Sequence, residues 1–267
     1  MMLDPLIAKL TTSSLSDTAS YRRICASAAE NDLLFRDFRC LPAYRRVSEN
    51  VTREQGQAYL DEIRRIEPKL LEDPQWFRDN DKYGNPERYE YAEVGLVSPT
   101  TLRYVKVAAE LSQLFGELRG FDIVEIGGGY GGQARILKAL HPSVNYTIID
   151  LFEACMLARM YLFQYRTDCT FVDDAKDVSL APHLVISNYA LTECALNVLT
   201  KYVNHIVRRS ARGYVTGNAQ EKVLFDLLAS RHPERRDEVP LTSEGNFLCV
   251  WRARTTAPVK FEGAGLK

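Results

Sequence analysis

The chain of 267 residues lacks the features that mark several common classes of protein. Its six cysteines form no Cys-x-x-Cys pair, which favours reduced, mostly buried thiols in a cytoplasmic protein. A formal net charge of −1 provides no basic field for nucleic acid. No apolar run approaches the ~18 residues of a membrane-spanning helix, and the first residues do not have the pattern of a signal peptide. We therefore expect neither a nucleic-acid nor a membrane partner.

The most informative stretch is FDIVEIGGGYGGQ, residues 121–133. Three of the four residues at 123–126 are apolar and β-branched, as in a buried strand, and residues 133–140 have the apolar spacing of a helix. Five glycines lie between them, where small residues let a ligand approach the backbone. Strand, glycine turn and helix together predict the first half of a nucleotide-binding βαβ unit.

Two ligand motifs fit this turn. Gly127, Gly129 and Gly132 satisfy G-x-G-x-x-G, the dinucleotide fingerprint. Glu125 with Gly127, Gly129 and Gly131 satisfies E-x-G-x-G-x-G, a form found in class I S-adenosylmethionine (SAM) methyltransferases. A carboxylate beside the turn would repel a pyrophosphate, whereas SAM carries two cationic groups. The charge of Glu125 therefore favours SAM.

The remaining pattern predicts an α/β fold with a doubly wound, mostly parallel sheet and an N-terminal helical extension. Further strands are predicted at 146–149, 169–172, 184–186, 213–216 and 247–251. We expect a helical region and acceptor-side loop at 1–97, the SAM-binding domain at 98–254, and a loose tail at 255–267.

Residues that follow the predicted strands are candidates for the cofactor site, because ligands of doubly wound sheets lie beyond the carboxyl ends of strands. Asp150 has the spacing of an acid that accepts hydrogen bonds from ribose hydroxyls. Asp173 and Asp174 could reach the adenine amino group or form a solvated turn. Arg103 could pair with the SAM carboxylate or lie exposed on its helix. The full set expected to bind the cofactor is Glu125, Gly127, Gly128, Gly129, Gln133, Asp150, Leu151, Asp173, Asp174, Ser187, Asn188 and Arg103.

Residues 74–97 form a long irregular stretch that is rich in tyrosine, Asp and Asn. Aromatic rings and nearby acids would suit a sugar-like acceptor, although a surface loop held by aromatic packing is an equal alternative. Before this stretch, Thr52 and Gln55 predict a capping box, and after it Ser98-Pro99 predicts a helix start. The residues expected to contact the acceptor are Tyr83, Asn85, Tyr104, Tyr130 and Tyr189.

Several segments together resemble a bacterial sugar O-methyltransferase family within the class I SAM methyltransferases. They are EQGQAYL, DKYGNP, SPTTLRYVKV, DIVEIGGGYGGQ, SNYALTE and EGNFLCVW, and the resemblance spans about residues 38–252. It implies that Glu125, Gly127, Gly129 and Asp150 bind SAM. It also implies that the reaction site is lined by Ser187, Asn188, Tyr189 and Glu193.

A sugar hydroxyl is a poor nucleophile, so methyl transfer by direct displacement would gain from a general base. Glu193 is the expected base, with Asp79 and Asp81 as alternatives. The spacing indicates no metal site, although Asp79, Asp81 and Glu193 could converge on a divalent cation. Other readings are a methyltransferase of a non-sugar natural product, an NAD(P)-dependent oxidoreductase or epimerase, and a non-catalytic SAM-fold protein. A homodimer is possible.

Overall fold

The computed structural model describes residues 19–252, and the predicted tail at 255–267 lies outside this range. The N-terminal part is mainly helical, as the sequence predicted. Its helices are α1 (Ala19–Glu30), α2 (Asp32–Asp37), α3 (Pro42–Ser48), α4 (Arg53–Ile66) and α5 (Gln75–Arg78). A two-stranded hairpin, β1 (Tyr89–Tyr91) and β2 (Gly95–Val97), leads into the long helix α6 (Pro99–Phe115).

The rest of the described chain alternates strands with helices. The strands are β3 (Asp122–Ile126), β4 (Asn145–Ile149), β5 (Thr170–Val172), β6 (Leu184–Asn188), β7 (Arg212–Gly217), β8 (Glu234–Asp237) and β9 (Phe247–Arg252). The helices are α7 (Gly132–Leu140), α8 (Phe152–Phe163), α9 (Ala190–Glu193), α10 (Leu196–His205) and α11 (Glu221–Leu227).

The seven strands of the main sheet lie in the order β5-β4-β3-β6-β7-β9-β8. The first five are parallel to one another. At the far edge, β9 pairs antiparallel with β7, and β8 pairs antiparallel with β9. Starting from β3, successive strands of the chain are added outward, first on one side as β4 and β5 and then on the other as β6 and β7. This is the doubly wound arrangement, and its switch point lies between β3 and β6. The predicted fold class is confirmed.

The core has two parts, one on each face of the sheet. Successive strand residues point to opposite faces, so Ile123 packs into one part and Val124 into the other. The N-terminal helices contribute Tyr21, Phe38 and Tyr59 to the same cluster as Ile123. Residues 19–97 therefore share a core with the sheet.

Both predicted helix starts are confirmed. The Thr52 hydroxyl accepts from the Gln55 N–H at 3.2 Å, and the Gln55 side chain accepts from the Thr52 N–H at 3.0 Å. Ser98 caps α6 by accepting from the Thr101 N–H at 3.2 Å, with Pro99 at the first helical position. These starts depend on contacts within four residues, which a sequence displays directly.

The stretch at 74–97 is more regular than the sequence indicated. It contains α5, a 3-10 turn at Asp79–Asp81 and the β1–β2 hairpin, so the prediction of a structureless loop was wrong. Strand β8 was not predicted either, because its sequence ERRD has no apolar residue and only pairing with β9 holds it in the sheet. Within residues 19–252, no helix combines the length and apolar character that crossing a membrane requires.

Candidate functional site

A cleft of about 460 Å³ opens at the carboxyl ends of β3, β4, β6 and β7. Its floor contains Glu125, the turn Gly127–Gly128–Gly129 and Asp150. Its roof is formed by Tyr21 of α1, the α3–α4 connection with the start of α4, Asn218 after β7 and the loop between β8 and β9. The cleft therefore lies where a doubly wound sheet binds its ligands, at the strand ends beside the switch point.

The glycines of the turn have different roles. A Cβ on Gly127 would lie 2.0 Å from that of Ala190, and one on Gly128 would lie 2.7 Å from Ile148, so both are small because of packing. Gly129 has a φ of +54°, and a Cβ there would meet no protein atom closer than Ser48 Oγ at 3.9 Å. Of these three glycines, only Gly129 is bare towards the open cleft, so we expect a ligand to approach the backbone there.

Asp150 joins the glycine turn to the end of β4. Its carboxylate accepts from the Gly129 N–H at 2.8 Å and from the Leu151 N–H at 2.7 Å. Burial raises the pKa of Asp150 to about 6, although these two backbone hydrogen bonds act to lower it. The group is thus largely ionised at pH 7, and each oxygen keeps a lone pair for a ligand hydroxyl. Leu151 contributes through its backbone alone, because it is not among the residues lining the cleft.

Glu125 requires a correction to the electrostatic argument from sequence. It is 2% exposed, and its carboxyl group accepts from the Tyr146 hydroxyl at 3.0 Å. Burial raises the pKa of Glu125 to about 8, so without a cation beside it the group is mostly neutral at pH 7. Its charge therefore does not by itself exclude a pyrophosphate. The stronger argument is that the Gly129 N–H, which a dinucleotide turn would offer to phosphate, is already bound by Asp150.

Two polar side chains in the cleft have unused hydrogen-bonding atoms. Asn188 Nδ2 is buried without a partner, while its oxygen accepts from Thr216 at 3.2 Å. Arg103 Nε is likewise buried and unpartnered. Across residues 19–252, no carboxylate accepts a hydrogen bond from the Arg103 guanidinium, whose single hydrogen bond goes to the Ser48 carbonyl at 3.3 Å. A buried donor without a partner is costly, so both atoms indicate a polar ligand.

Tyr189 lies between these groups in a strained conformation. Its φ of +68° and ψ of −37° are unusual for a residue with a side chain and cost about 1–3 kcal/mol. Its hydroxyl donates to Glu238, and Thr242 Oγ1 lies 3.1 Å away. Glu193 also lines the cleft and accepts from Asn218 Nδ2 at 2.6 Å. Strain of this kind clusters at functional sites, which supports this end of the cleft as a reaction site.

Other residues expected to bind the cofactor lie outside the cleft. The Ser187 hydroxyl donates to the Ile126 carbonyl at 2.9 Å and accepts from the Leu191 N–H, so it closes a backbone turn. Gln133 is buried and donates to the Tyr104 carbonyl at 3.1 Å. Asp173 is exposed, and Asp174 caps a short 3-10 turn and pairs with Lys201 at 2.6 Å. Of Gln133, Asp173, Asp174 and Ser187, none lines the cleft.

The two alternative catalytic acids are also remote from the cleft. The carboxylate of Asp81, 4% exposed, accepts from Arg39 at 3.0 Å, Thr101 Oγ1 at 2.8 Å and both the N–H and the hydroxyl of Ser98. It therefore anchors the start of α6. Asp79 pairs with Lys82 at 2.9 Å. The suggested convergence of these acids with Glu193 was wrong, and residues 19–252 hold no cluster of three or more His, Cys, Asp or Glu suited to a metal ion.

Three of the five tyrosines and asparagines expected to contact the acceptor do not reach the cleft. Tyr130 is fully buried, 4.7 Å from the ring of Tyr161 and with the Arg39 guanidinium 4.6 Å above it. Tyr83 and Asn85 line a separate groove of about 280 Å³. Of the five residues expected to contact the acceptor, Tyr104 and Tyr189 line the cleft.

The sequence did not single out most of the roof. Its polar residues include Asn50, Gln55, Asn218, Thr242, Ser243, Glu244 and Asn246. Glu238 accepts hydrogen bonds from two of these residues, Thr242 and Asn246. The available signals were the segments EQGQAYL and EGNFLCVW, which carried part of the resemblance but had no chemical role attached to them.

Comparison with known proteins gives only a distant match. No protein-family model and no curated protein matches the chain. A SAM-dependent methyltransferase from Aquifex aeolicus is 12% identical, with a TM-score of 0.43 over 53% of this chain and 87% of that one. Magnesium protoporphyrin IX methyltransferase from Synechocystis PCC 6803, solved with SAH, is 12% identical, with a TM-score of 0.46 over 57% and 82%.

A third solved structure, the pyocyanin biosynthetic protein PhzM, is 17% identical, with a TM-score of 0.43. The match covers 58% of this chain and 58% of PhzM. Because the three TM-scores are below 0.5 and the identities below 20%, the function has to be argued from the cleft itself.

Proposed function

We propose that the protein is a SAM-dependent methyltransferase that transfers a methyl group to a hydroxyl of a sugar or sugar-containing metabolite. The observation that carries the proposal is the cleft floor. There the ionised Asp150, bound to the open Gly129 turn, lies in one cavity with the unpartnered donors of Arg103 and Asn188. These are groups that an adenosyl amino acid would satisfy.

The floor residues fit the chemical groups of SAM. Asp150 would accept the ribose hydroxyls, and Gly129 leaves the backbone accessible. Arg103 would pair with the carboxylate, which supplies the partner that its guanidinium lacks. Glu125 would ionise beside a cationic group, because a nearby positive charge lowers the pKa of a buried acid. When bound, SAM supplies a methyl group activated by the sulfonium.

The roof supports a hydroxyl-rich acceptor. Its side chains are largely neutral amides and hydroxyls, including Asn50, Gln55, Asn218 and Thr242, which can both donate and accept hydrogen bonds. Besides Glu244 of the roof, the acid near them is Glu193, whose second carboxyl oxygen accepts no hydrogen bond from residues 19–252. It would take the proton of the acceptor hydroxyl, while Asn218 holds its first oxygen.

Thermal unfolding with S-adenosylhomocysteine (SAH) or NAD tests the cofactor class without knowledge of the acceptor. At a hundredfold its dissociation constant, a ligand that binds only the folded state adds ~2.7 kcal/mol to the free energy of unfolding. We expect this gain with SAH and none with NAD. Stabilisation by NAD, or by neither ligand, would refute the proposal.

The acceptor is tested by transfer from methyl-labelled SAM to two panels, one of sugars and glycosides and one of phenols and amines. We expect label in the sugar panel and a loss of ~10²–10⁴-fold in turnover for Glu193→Gln. SAH affinity of the variant should equal that of wild type. Label in phenols or amines alone would contradict the sugar assignment, and full turnover by Glu193→Gln would contradict the base.

A further inference from the structure

We propose that Glu238 is a positioning residue that acts through Tyr189 on Arg103 and so controls how firmly the cleft holds the carboxylate of the cofactor. The inference rests on the proposed function, because it takes Arg103 to be the partner of that carboxylate. Glu238 itself is not among the residues lining the cleft.

Glu238 joins the β8–β9 loop to Tyr189. It is 4% exposed and follows directly after strand β8. One carboxyl oxygen accepts from the Tyr189 hydroxyl, and the other accepts from Thr242 Oγ1 at 2.6 Å, the Thr242 N–H at 3.1 Å and Asn246 Nδ2 at 2.9 Å. With donors on both oxygens, the carboxyl group holds the tip of Tyr189 in one place relative to the loop.

Tyr189 in turn forms one wall of the space that holds Arg103. The Arg103 guanidinium lies 5.8 Å from the ring centre of Tyr189 and 5.8 Å from that of Tyr104. Both distances are within the range of a cation–π contact. The tyrosine backbone is held in the left-handed region at the end of β6, so its ring is constrained at both ends.

Hydrogen bonds do little to fix the direction of Arg103. Its bond to the Ser48 carbonyl is 3.3 Å long, and its Nε has no hydrogen-bond partner within residues 19–252. The two rings therefore contribute to the orientation of the guanidinium. If the hydroxyl of Tyr189 were released, one of these rings could turn, and the fork that binds a carboxylate would lose its alignment.

This chain of contacts predicts a selective defect. Loss of Glu238 should weaken a ligand that carries the amino-acid carboxylate but leave one that lacks it. SAH and 5′-methylthioadenosine are such a pair, because they share the adenosyl group and thioether and differ in the amino-acid end. A general loosening of the fold would weaken both.

The experiment is calorimetric titration of wild type, Glu238→Gln and Tyr189→Phe with each ligand. Tyr189→Phe removes the hydroxyl that binds Glu238 and keeps the ring, so it serves if the Gln variant folds poorly. Arg103→Met reports the full loss of the carboxylate contact. Asp237→Asn is the matched control, because Asp237 is the exposed neighbour of Glu238 and pairs with Arg235.

We expect SAH to bind about tenfold more weakly to Glu238→Gln and Tyr189→Phe, with 5′-methylthioadenosine within about twofold of wild type. In the Arg103→Met background, Glu238→Gln should add no further loss for SAH. An equal loss for both ligands, or no loss for SAH, would overturn the inference. If wild type bound neither ligand, the proposed function itself would fail.

Discussion

Two aspartates, one buried and one half-buried, show how similar groups can have different roles in this molecule. Asp81 accepts from the Ser98 N–H at the start of α6, and Asp150 accepts from the Gly129 and Leu151 N–H groups. Asp81 also accepts from Arg39, Ser98 Oγ and Thr101 Oγ1, so protein donors saturate it. Among residues 19–252, only the two backbone groups donate to the Asp150 carboxylate, which faces an open cleft.

The comparison indicates that a structural acid has its hydrogen-bonding capacity filled by the protein, whereas a binding acid keeps part of it for a ligand. Arg39 compensates the charge of Asp81 at 3.0 Å within the core. The carboxylate of Asp150 is left with a pKa raised to about 6, because burial outweighs its two hydrogen bonds. A ligand with hydroxyl groups would supply the donors that the protein does not.

The largest expected effect comes from Asp81→Ala. Asp81→Ala removes one of the two acids that pair with the buried Arg39, the other being Glu49, and it leaves the Ser98 and Thr101 donors without their acceptor. We therefore expect the free energy of unfolding to fall by ~3–5 kcal/mol. Chemical denaturation measures the loss. At a temperature where the variant remains folded, its SAH affinity should equal that of wild type, and a loss of binding without a loss of stability would reverse the roles of the two acids.

The glycine turn gives the next largest effect, measured as ligand affinity. Gly129→Ala and Gly120→Ala both place a side chain at positive φ with no protein atom nearer than 3.9 Å. Each should cost about 1–2 kcal/mol of stability. Because Gly129 lines the cleft and Gly120 does not, we expect SAH affinity to fall at least about tenfold in Gly129→Ala and to stay unchanged in Gly120→Ala. Equal affinities in calorimetry would show that the ligand does not approach this turn.

The pH dependence of SAH binding tests whether the Asp150 carboxylate contacts the ligand. Its pKa of about 6 means that the carboxylate is charged above this value and protonated below it. A ligand whose hydroxyls bind the charged form should therefore bind about tenfold more weakly at pH 5 than at pH 7. Glu125 is expected to lose a proton when the ligand binds, so the test is made in a Glu125→Gln background, where its titration no longer contributes. The fall of about tenfold should remain in Glu125→Gln and disappear when Asp150→Asn is added. A fall that persists in the double variant would assign the titration to another group.

The smallest expected effect concerns Asp174, an acid that follows a parallel strand but pairs with Lys201 outside the cleft. Both side chains of the pair are more than a third exposed, so solvent screens the pair and it contributes little to stability. Asp174→Asn should leave SAH affinity unchanged and alter the unfolding midpoint only slightly. A clear loss of SAH binding would restore Asp174 to the cofactor site.

The features that could be predicted from sequence depend on neighbours along the chain. The glycine turn lies between β3 and α7, Asp150 lies between β4 and α8, and the capping box at Thr52 lies at the start of α4. The roles predicted for Asp81 and Tyr130 were wrong because both side chains contact Arg39, which lies more than forty residues before Asp81 in the chain. Glu238 was missed because its contact with Tyr189 joins residues 49 positions apart. Hydrogen bonds between residues that lie far apart in the chain produce no periodic pattern in the sequence.

A crystal structure of the protein grown with SAH tests the central claim most directly. The account predicts the ribose hydroxyls at the Asp150 carboxylate and the amino-acid carboxylate at Arg103, with the Arg39–Asp81 pair unchanged. A ligand bound elsewhere, such as the groove beside Tyr83, would contradict the account, as would a cleft without SAH at saturating concentration.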